Sequence, residues 1–254
     1  MLSLAFYGKG GIGKSTTCTN VAVALARMGH TVLHIGCDPK ADSVRAHFHG
    51  EAIVPLLRLL HTNPNLPLEE AIRTSEEGIV CVETGGPTPG LGCAGRGIGM
   101  VLEYLARTQA VQKLGIDCVL YDVLGDVVCG GFSMPMRKGF ARHVAIVSSG
   151  EAMALYAMEN IAKAISNFKS RGYASLAGII AIERGDATIR PLAQQALEAA
   201  AAKLETPILA TIPQSPLVFA AEGQHSPLLT CYPESPEAAV YRDLAKTLFE
   251  RFGN

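Results

Sequence analysis

"LSLAFYGKGGIGKSTTCTNVAVAL", residues 2–25, is the stretch that decides the fold. An apolar run from Leu2 to Tyr7 reads as a buried strand, and from Thr16 onward apolar residues recur at the three- and four-residue spacing of a helix. Between them "GKGGIGKST", Gly8 to Thr16, matches G-x-x-x-x-G-K-S/T in the strand, loop and helix setting that a phosphate-binding loop requires. Gly8, Gly10, Gly11 and Gly13, with Ile12 among them, let backbone N–H groups converge on phosphate oxygens at a helix N-terminus. Lys14 offers a point charge to the β and γ phosphates, Ser15 a hydroxyl ligand for Mg²⁺, and Thr16 completes the candidate nucleotide-binding set.

The alternation continues outward from this loop. Further apolar, β-branched runs lie at Thr31–Gly36, Gly78–Glu83, Asp117–Asp122, His143–Ser148, Leu176–Ile182 and Ile208–Ile212. Helical spacing fills Thr16–Met28, Gly97–Gln109, Glu151–Phe168, Pro191–Leu204 and Pro236–Phe252. Strands alternating with helices predict a mostly parallel sheet flanked by helices on both faces, and near-continuous apolar strands such as "HVAIVSS" fit burial on both sides. No repeat, low-complexity stretch or linker interrupts the pattern, so residues 1–254 are expected to form a single α/β P-loop NTPase domain.

The totals narrow the function. Hydrophobic residues make up 48% and charged residues 18%, yet no apolar run is long enough to span a bilayer, so no membrane partner is expected. A strand-like run directly after Met1 leaves no room for a secretory leader, which predicts a cytoplasmic protein. A net charge of −1 without a basic stripe argues against nucleic acid.

Three carboxylates stand where open α/β sheets bind ligands, at or just beyond strand ends. Asp38 in "GCDPKADS" is a candidate magnesium or water-positioning group, and Lys40 beside it a candidate nucleotide contact. Asp122 in "YDVLGD" is the candidate acid that holds magnesium through water. Asp126 is the candidate that orients or deprotonates the attacking water, with an aspartate capping a turn as the alternative. Lys9, at the start of the loop, cannot easily fold back onto its own γ-phosphate. Its K-G-G-x-G-K-S/T setting resembles the deviant Walker A family of partitioning ATPases, septum-site proteins and metallocluster reductases, which implies a lysine reaching the nucleotide of the facing subunit and a nucleotide-dependent homodimer. A solvated surface lysine is the alternative.

The chain has seven cysteines and no C-x-x-C pair, which removes zinc ribbons, thioredoxin-type motifs and ferredoxin-type cluster runs. Cys93 in "GLGCAGRG" and Cys129 in "VVCGGF" are both set among glycines and precede expected helix starts, where thiolates are favoured. Two such ligands make half of a site that usually takes four thiolates, and a symmetric dimer would complete it. Two ordinary loop cysteines are the alternative. Cys18, Cys37, Cys81, Cys118 and Cys231 read as small buried residues, the last in a Pro-bounded loop.

Together "GKGGIGKST", "GCDPKADS", "GGPTPGLGCAGRG" and "YDVLGDVVCGGFSMP" resemble the nitrogenase iron protein family from residue 1 to about 160. The resemblance implies that Cys93 and Cys129 ligate one 4Fe-4S cluster per homodimer and that Asp122 to Cys129 is a switch joining magnesium to cluster. It further implies an ATP-hydrolysing oxidoreductase that uses MgATP to pass single electrons to a separate catalytic protein, with a ferredoxin or flavodoxin as electron source. Arg96 is the expected docking contact, and in some relatives the matching arginine is a target of ADP-ribosylation; capping of a local carboxylate is the alternative role. A positional or cluster-carrier ATPase is the competing class.

The chain departs from the family where Ile182 replaces an expected Asn, where Gln214 and Ser215 replace Arg-Asp after Pro213, and where it stops at Asn254 without the usual tail. These departures favour a nitrogenase-like system, such as a methylthio-alkane reductase or a tetrapyrrole reductase of the cofactor F430 pathway, over nitrogenase itself.

Overall fold

The computed structural model describes residues 1–86, 94–125 and 133–253, with Ala94 described by its backbone alone. Eight strands form one sheet: β1 Leu2–Tyr7, β2 Val32–Cys37, β3 Arg73–Thr74, β4 Val80–Glu83, β5 Cys118–Val123, β6 His143–Ser148, β7 Ser175–Ile182 and β8 Ile208–Ile212. Their order is β3-β4-β2-β5-β1-β6-β7-β8, and all pairings are parallel except that of β3 with β4 at one edge. The helices are α1 Lys14–Arg27, α2 Leu56–Thr62, α3 Leu68–Ala71, α4 Ala94–Arg107, α5 Ala110–Lys113, α6 Ala152–Phe168, α7 Ile189–Lys203, α8 Pro216–Gly223, α9 Leu228–Cys231 and α10 Pro236–Phe252. This is the mostly parallel α/β sheet that the sequence predicts.

Alternation along each strand divides the core in two. Leu2, Leu4 and Phe6 of β1 pack with α1, α9 and α10 on one face, while Ala5 and Tyr7 pack toward α2, α4 and α6 on the other. With both faces covered, the central strands are buried along their whole length, which is why they read as unbroken apolar runs. Parallel register sends every connection after β1, β2, β4 and β5 out at the same sheet edge, so the phosphate loop, Asp38, Glu83 and Asp122 converge there. Among the described residues no helix is long and apolar enough to cross a membrane.

Strand and helix positions differ from the expected ones by a few residues at most. Asp38 lies one residue beyond β2, and Asp122 is the penultimate residue of β5. Cys231 is corrected: it ends α9 and is only half-buried, because this short helix buries Leu228 and Leu229 while its last turn, with exposed Thr230, faces outward.

Candidate nucleotide site and cluster-loop frame

Gly8 leaves β1 beside β6 so closely that a Cβ there would lie 2.2 Å from the Val147 carbonyl oxygen. Gly11 and Gly13 take φ of 71° and 104°, conformations open to glycine, and Gly13 caps α1 without a side chain. The loop is further tied by Ile12 N donating to Lys9 O at 3.2 Å and by Thr17 Oγ1 donating to Gly13 O at 2.8 Å. Gly10 and Gly11 stay exposed, Ile12 is buried, and Thr16 Oγ1 donates to Glu222 Oε1 at 2.8 Å.

Behind the loop, Lys14 Nζ stands 3.2 Å from Asp122 Oδ1 with side-chain exposures of 10% and 1%. Ser43 Oγ donates to Asp122 Oδ2 at 2.7 Å, whereas Oδ1 has no hydrogen-bond partner and is paired by charge alone. Burial by itself would push the Asp122 carboxyl up; the Lys14 ammonium and the hydroxyls of Ser15 and Ser43 outweigh it and hold the group below the usual carboxylate range. A buried cation beside a carboxylate with a free oxygen suits phosphate on one side and magnesium on the other, so the residues present fit MgATP. The cleft continues away from the phosphates as a cavity of about 710 Å³ between the loop, Ile182–Gly185, Pro213–Ser215 and α8, with buried Tyr241 at its back. Ile182, Gln214 and Ser215 thus line the space where a base would lie.

The remaining candidates are placed less tightly. Lys9 is half-buried and Lys40 exposed. Asp38 Oδ1 accepts from Lys40 N at 2.8 Å, and its carboxyl is raised, first by burial. Arg96 lies exposed in the first turn of α4. Cys93, Cys129 and Asp126 lie outside the described residues.

A cluster can still be tested on the donor set. Cys18, Cys37, Cys81 and Cys118 are wholly buried within one chain, where they cannot meet their counterparts in a second chain to share a cluster. Cys231 stands alone at the end of α9. The two remaining cysteines, Cys93 and Cys129, follow β4 and β5 in the sequence, and two thiols per chain fit a site supplied half by each of two chains.

Sequence reasoning missed a buried polar layer under this edge. Glu83 at the end of β4 is wholly buried; its Oε1 accepts from Val44 N at 2.8 Å, and burial pushes its carboxyl up to about 8. Cys18 Sγ, His34 and His47 form a chain with contacts of 3.3 and 3.0 Å, and burial lowers His34 to about 4. A signal for Glu83 existed: "IVCVE" is an apolar strand ending in a carboxylate at the ligand edge, as "CVLYD" is.

The family model described as 4Fe-4S iron sulfur cluster binding proteins, NifH/frxC family, matches residues 2–252. The chain is 44% identical over 252 residues to a nitrogenase iron protein of Methanospirillum hungatei, covering 98% of this chain and 88% of that protein. It is 41% identical over 247 residues to nitrogenase iron protein 2 of Paenibacillus durus, covering 97% and 83%. Among solved structures, the cell division ATPase MinD of Pyrococcus furiosus superposes with a TM-score of 0.75 at 22% identity, covering 99% of this chain and 100% of that one. A ParA family ATPase from Chlorobium tepidum gives 0.74 at 15% identity, covering 96% and 98%. At those identities the last two speak for the fold alone.

Proposed function

We propose, from the premise that this chain belongs to the NifH/frxC family of 4Fe-4S iron sulfur cluster binding proteins, that it is the reductase component of a nitrogenase-like system. It is an ATP-hydrolysing oxidoreductase that uses MgATP and a 4Fe-4S cluster, and it donates electrons. It works as a homodimer that docks transiently on a catalytic protein, with a ferredoxin or flavodoxin as its electron source. Cys93 and Cys129 of each chain would hold the cluster, which would supply a one-electron store.

The observation that carries the reading is the buried Lys14–Asp122 pair. Phosphate in the loop would take up the Lys14 ammonium, and Asp122 would then be free to hold magnesium. Cys129 follows Asp122, near the end of β5, by seven residues in sequence, so a shift in the charge partners of Asp122 would act on the chain that leads to a cluster ligand. Asp38 and Asp126 position the attacking water, Lys9 reaches the phosphates of the facing subunit, and Arg96 meets the acceptor. Lys40 contacts the nucleotide from the loop after β2.

Iron analysis tests the assignment. Cys93→Ser and Cys129→Ser should each abolish the cluster, while Cys81→Ser should keep about four irons per dimer; a cluster that survives loss of Cys129 would overturn the switch. Ile182, Gln214 and Ser215 on the base wall favour a nitrogenase-like acceptor over nitrogenase proper. Mixing the reduced protein and ATP with purified nitrogenase, methylthio-alkane reductase and tetrapyrrole reductase components decides between them, and robust dinitrogen reduction would reverse that preference.

A further inference from the structure

At the sheet edge opposite the phosphate loop, β2 and β5 begin side by side. Val32 pairs with Cys118, and the amides of Asp117 and Cys118 both donate to Thr31 O, at 3.1 and 3.2 Å. That register brings His30, just before β2, against the start of β5. His30 Nδ1 lies 2.8 Å from Asp117 Oδ2, and one donor atom each from His30, Asp117 and Cys118 all fall within 4.8 Å of one another.

Imidazole, carboxylate and thiol together are the donors that a borderline divalent cation of the zinc class prefers. Bonds of about 2.0–2.3 Å to a tetrahedral zinc set neighbouring donors roughly 3.3–3.8 Å apart. A closing of about 1 Å, with the His30–Asp117 hydrogen bond opening around the ion, meets that requirement.

Three features go beyond a simple ion pair. Asp117 Oδ1 is buried, and the carboxylate draws in the Cys118 thiol by a hydrogen bond as well as by charge. The His30 ring is held by stacking on Phe249 of α10, centroids 3.8 Å apart and planes at 28°, so its orientation is fixed from outside the trio. The Cys118 thiol is wholly buried beside the Asp117 carboxylate; burial first, and that charge second, push it up to about 12. A cation would offset the carboxylate's charge and exchange for the thiol proton, giving a metal thiolate and one released H⁺. Side-chain exposures of 18% for His30 and 44% for Asp117 leave an access route and space for water.

We propose that His30, Asp117 and Cys118 form a binding site for one zinc-class divalent cation, completed by water, that ties the turn before β2 to the start of β5. Its place at the far edge of the sheet makes it a structural tie outside electron transfer.

The homodimer, purified without air and with its cluster intact, is given a small excess of Zn²⁺, desalted, and measured for zinc content and zinc-edge X-ray absorption. The site predicts about one zinc per chain, with a single sulfur neighbour and nitrogen or oxygen for the rest. His30→Gln and Cys118→Ala should each lose the zinc at unchanged iron content, and Cys231→Ala should keep it. Native protein that retains no zinc, zinc with no sulfur or more than one, or zinc retained by both variants would overturn the site and leave His30 and Asp117 as an ion pair. The absorption measurement is made on native protein, so it decides even where Cys118→Ala does not fold.

Discussion

The two walls of the candidate nucleotide cleft, one for phosphate and one for the base, are built differently. On the phosphate wall Lys14 and Asp122 are buried and paired, Ser43 bonds the carboxylate, and Gly8 is pressed against the backbone of β6. On the base wall Phe219 is 80% exposed, Gln214 is exposed, and Ile182 to Gly185 are half-buried. Phosphate charge needs preorganised charges and dipoles in a dry setting, which restricts residue type and spacing and so leaves a motif. A base needs a flat apolar surface, which many sequences supply and no motif records.

The sharpest break in this contrast comes from Lys14→Gln. Removing one partner of a buried pair leaves Asp122 uncompensated, which costs about 3 kcal/mol of folding stability. The same change takes a cation from the phosphates and should weaken ATP binding about 100-fold or more. Denaturant titration and calorimetric ATP binding measure the two effects. Phe219→Ala should cost ATP binding only about threefold, the scale of one exposed aromatic contact. Equal losses in the two variants would mean that the walls do not differ.

Glu83 sharpens the comparison from behind the phosphate wall. Its carboxyl, raised by burial to about 8 from 4.5, is protonated in the native state and ionised in the unfolded chain between those values. The unfolded state then binds fewer protons, so folding stability should fall as pH rises from about 4.5 to 8, by at most about 1.4 kcal/mol per pH unit. Glu83→Gln keeps the Val44 contact and should flatten that slope. Urea midpoints between pH 5 and pH 8 in both proteins give the answer, and identical slopes would show that Glu83 does not titrate in this window.

The same division governs what could be read from the sequence. β1, β6 and β8 have the expected bounds, because their apolar runs end abruptly at Gly8, at Ser148–Gly150 and at Pro213. β3 is two exposed residues, Arg73 and Thr74, with no apolar pattern to reveal it. Ser215, read only as a departure from a family pattern, is also the N-cap of α8, its Oγ accepting from Leu217 N at 3.1 Å. The Ser-Pro pair opening α8 was a local signal, but α8 itself is too short for helical spacing to stand out. The Cys18–His34–His47 chain joins residues from α1, β2 and the turn after it, a contact that only the folded sheet creates.

A single exchange at Ile182 tests whether the base wall reads the base at all. Ile182 is half-buried at the end of β7 and lines the cavity together with Pro213 and Val218, a surface that can pack on any purine. Gln214, the side-chain amide lining this wall, is exposed and free to turn toward either ring system. With packing as the main contact, ATP and GTP should bind within a few-fold of each other. Ile182→Asn would add an amide able to pair with the edge of the base at a partly dry position, where one neutral hydrogen bond contributes about 1 kcal/mol. That is about a fivefold gain in preference for one purine, with overall affinity little changed, because the phosphate wall supplies most of the binding. Competition between ATP and GTP on the native protein and the variant measures it directly. A strong ATP preference already present in the native protein would mean that another group, Gln214 first, reads the base, and the two walls would then differ in exposure but not in selectivity.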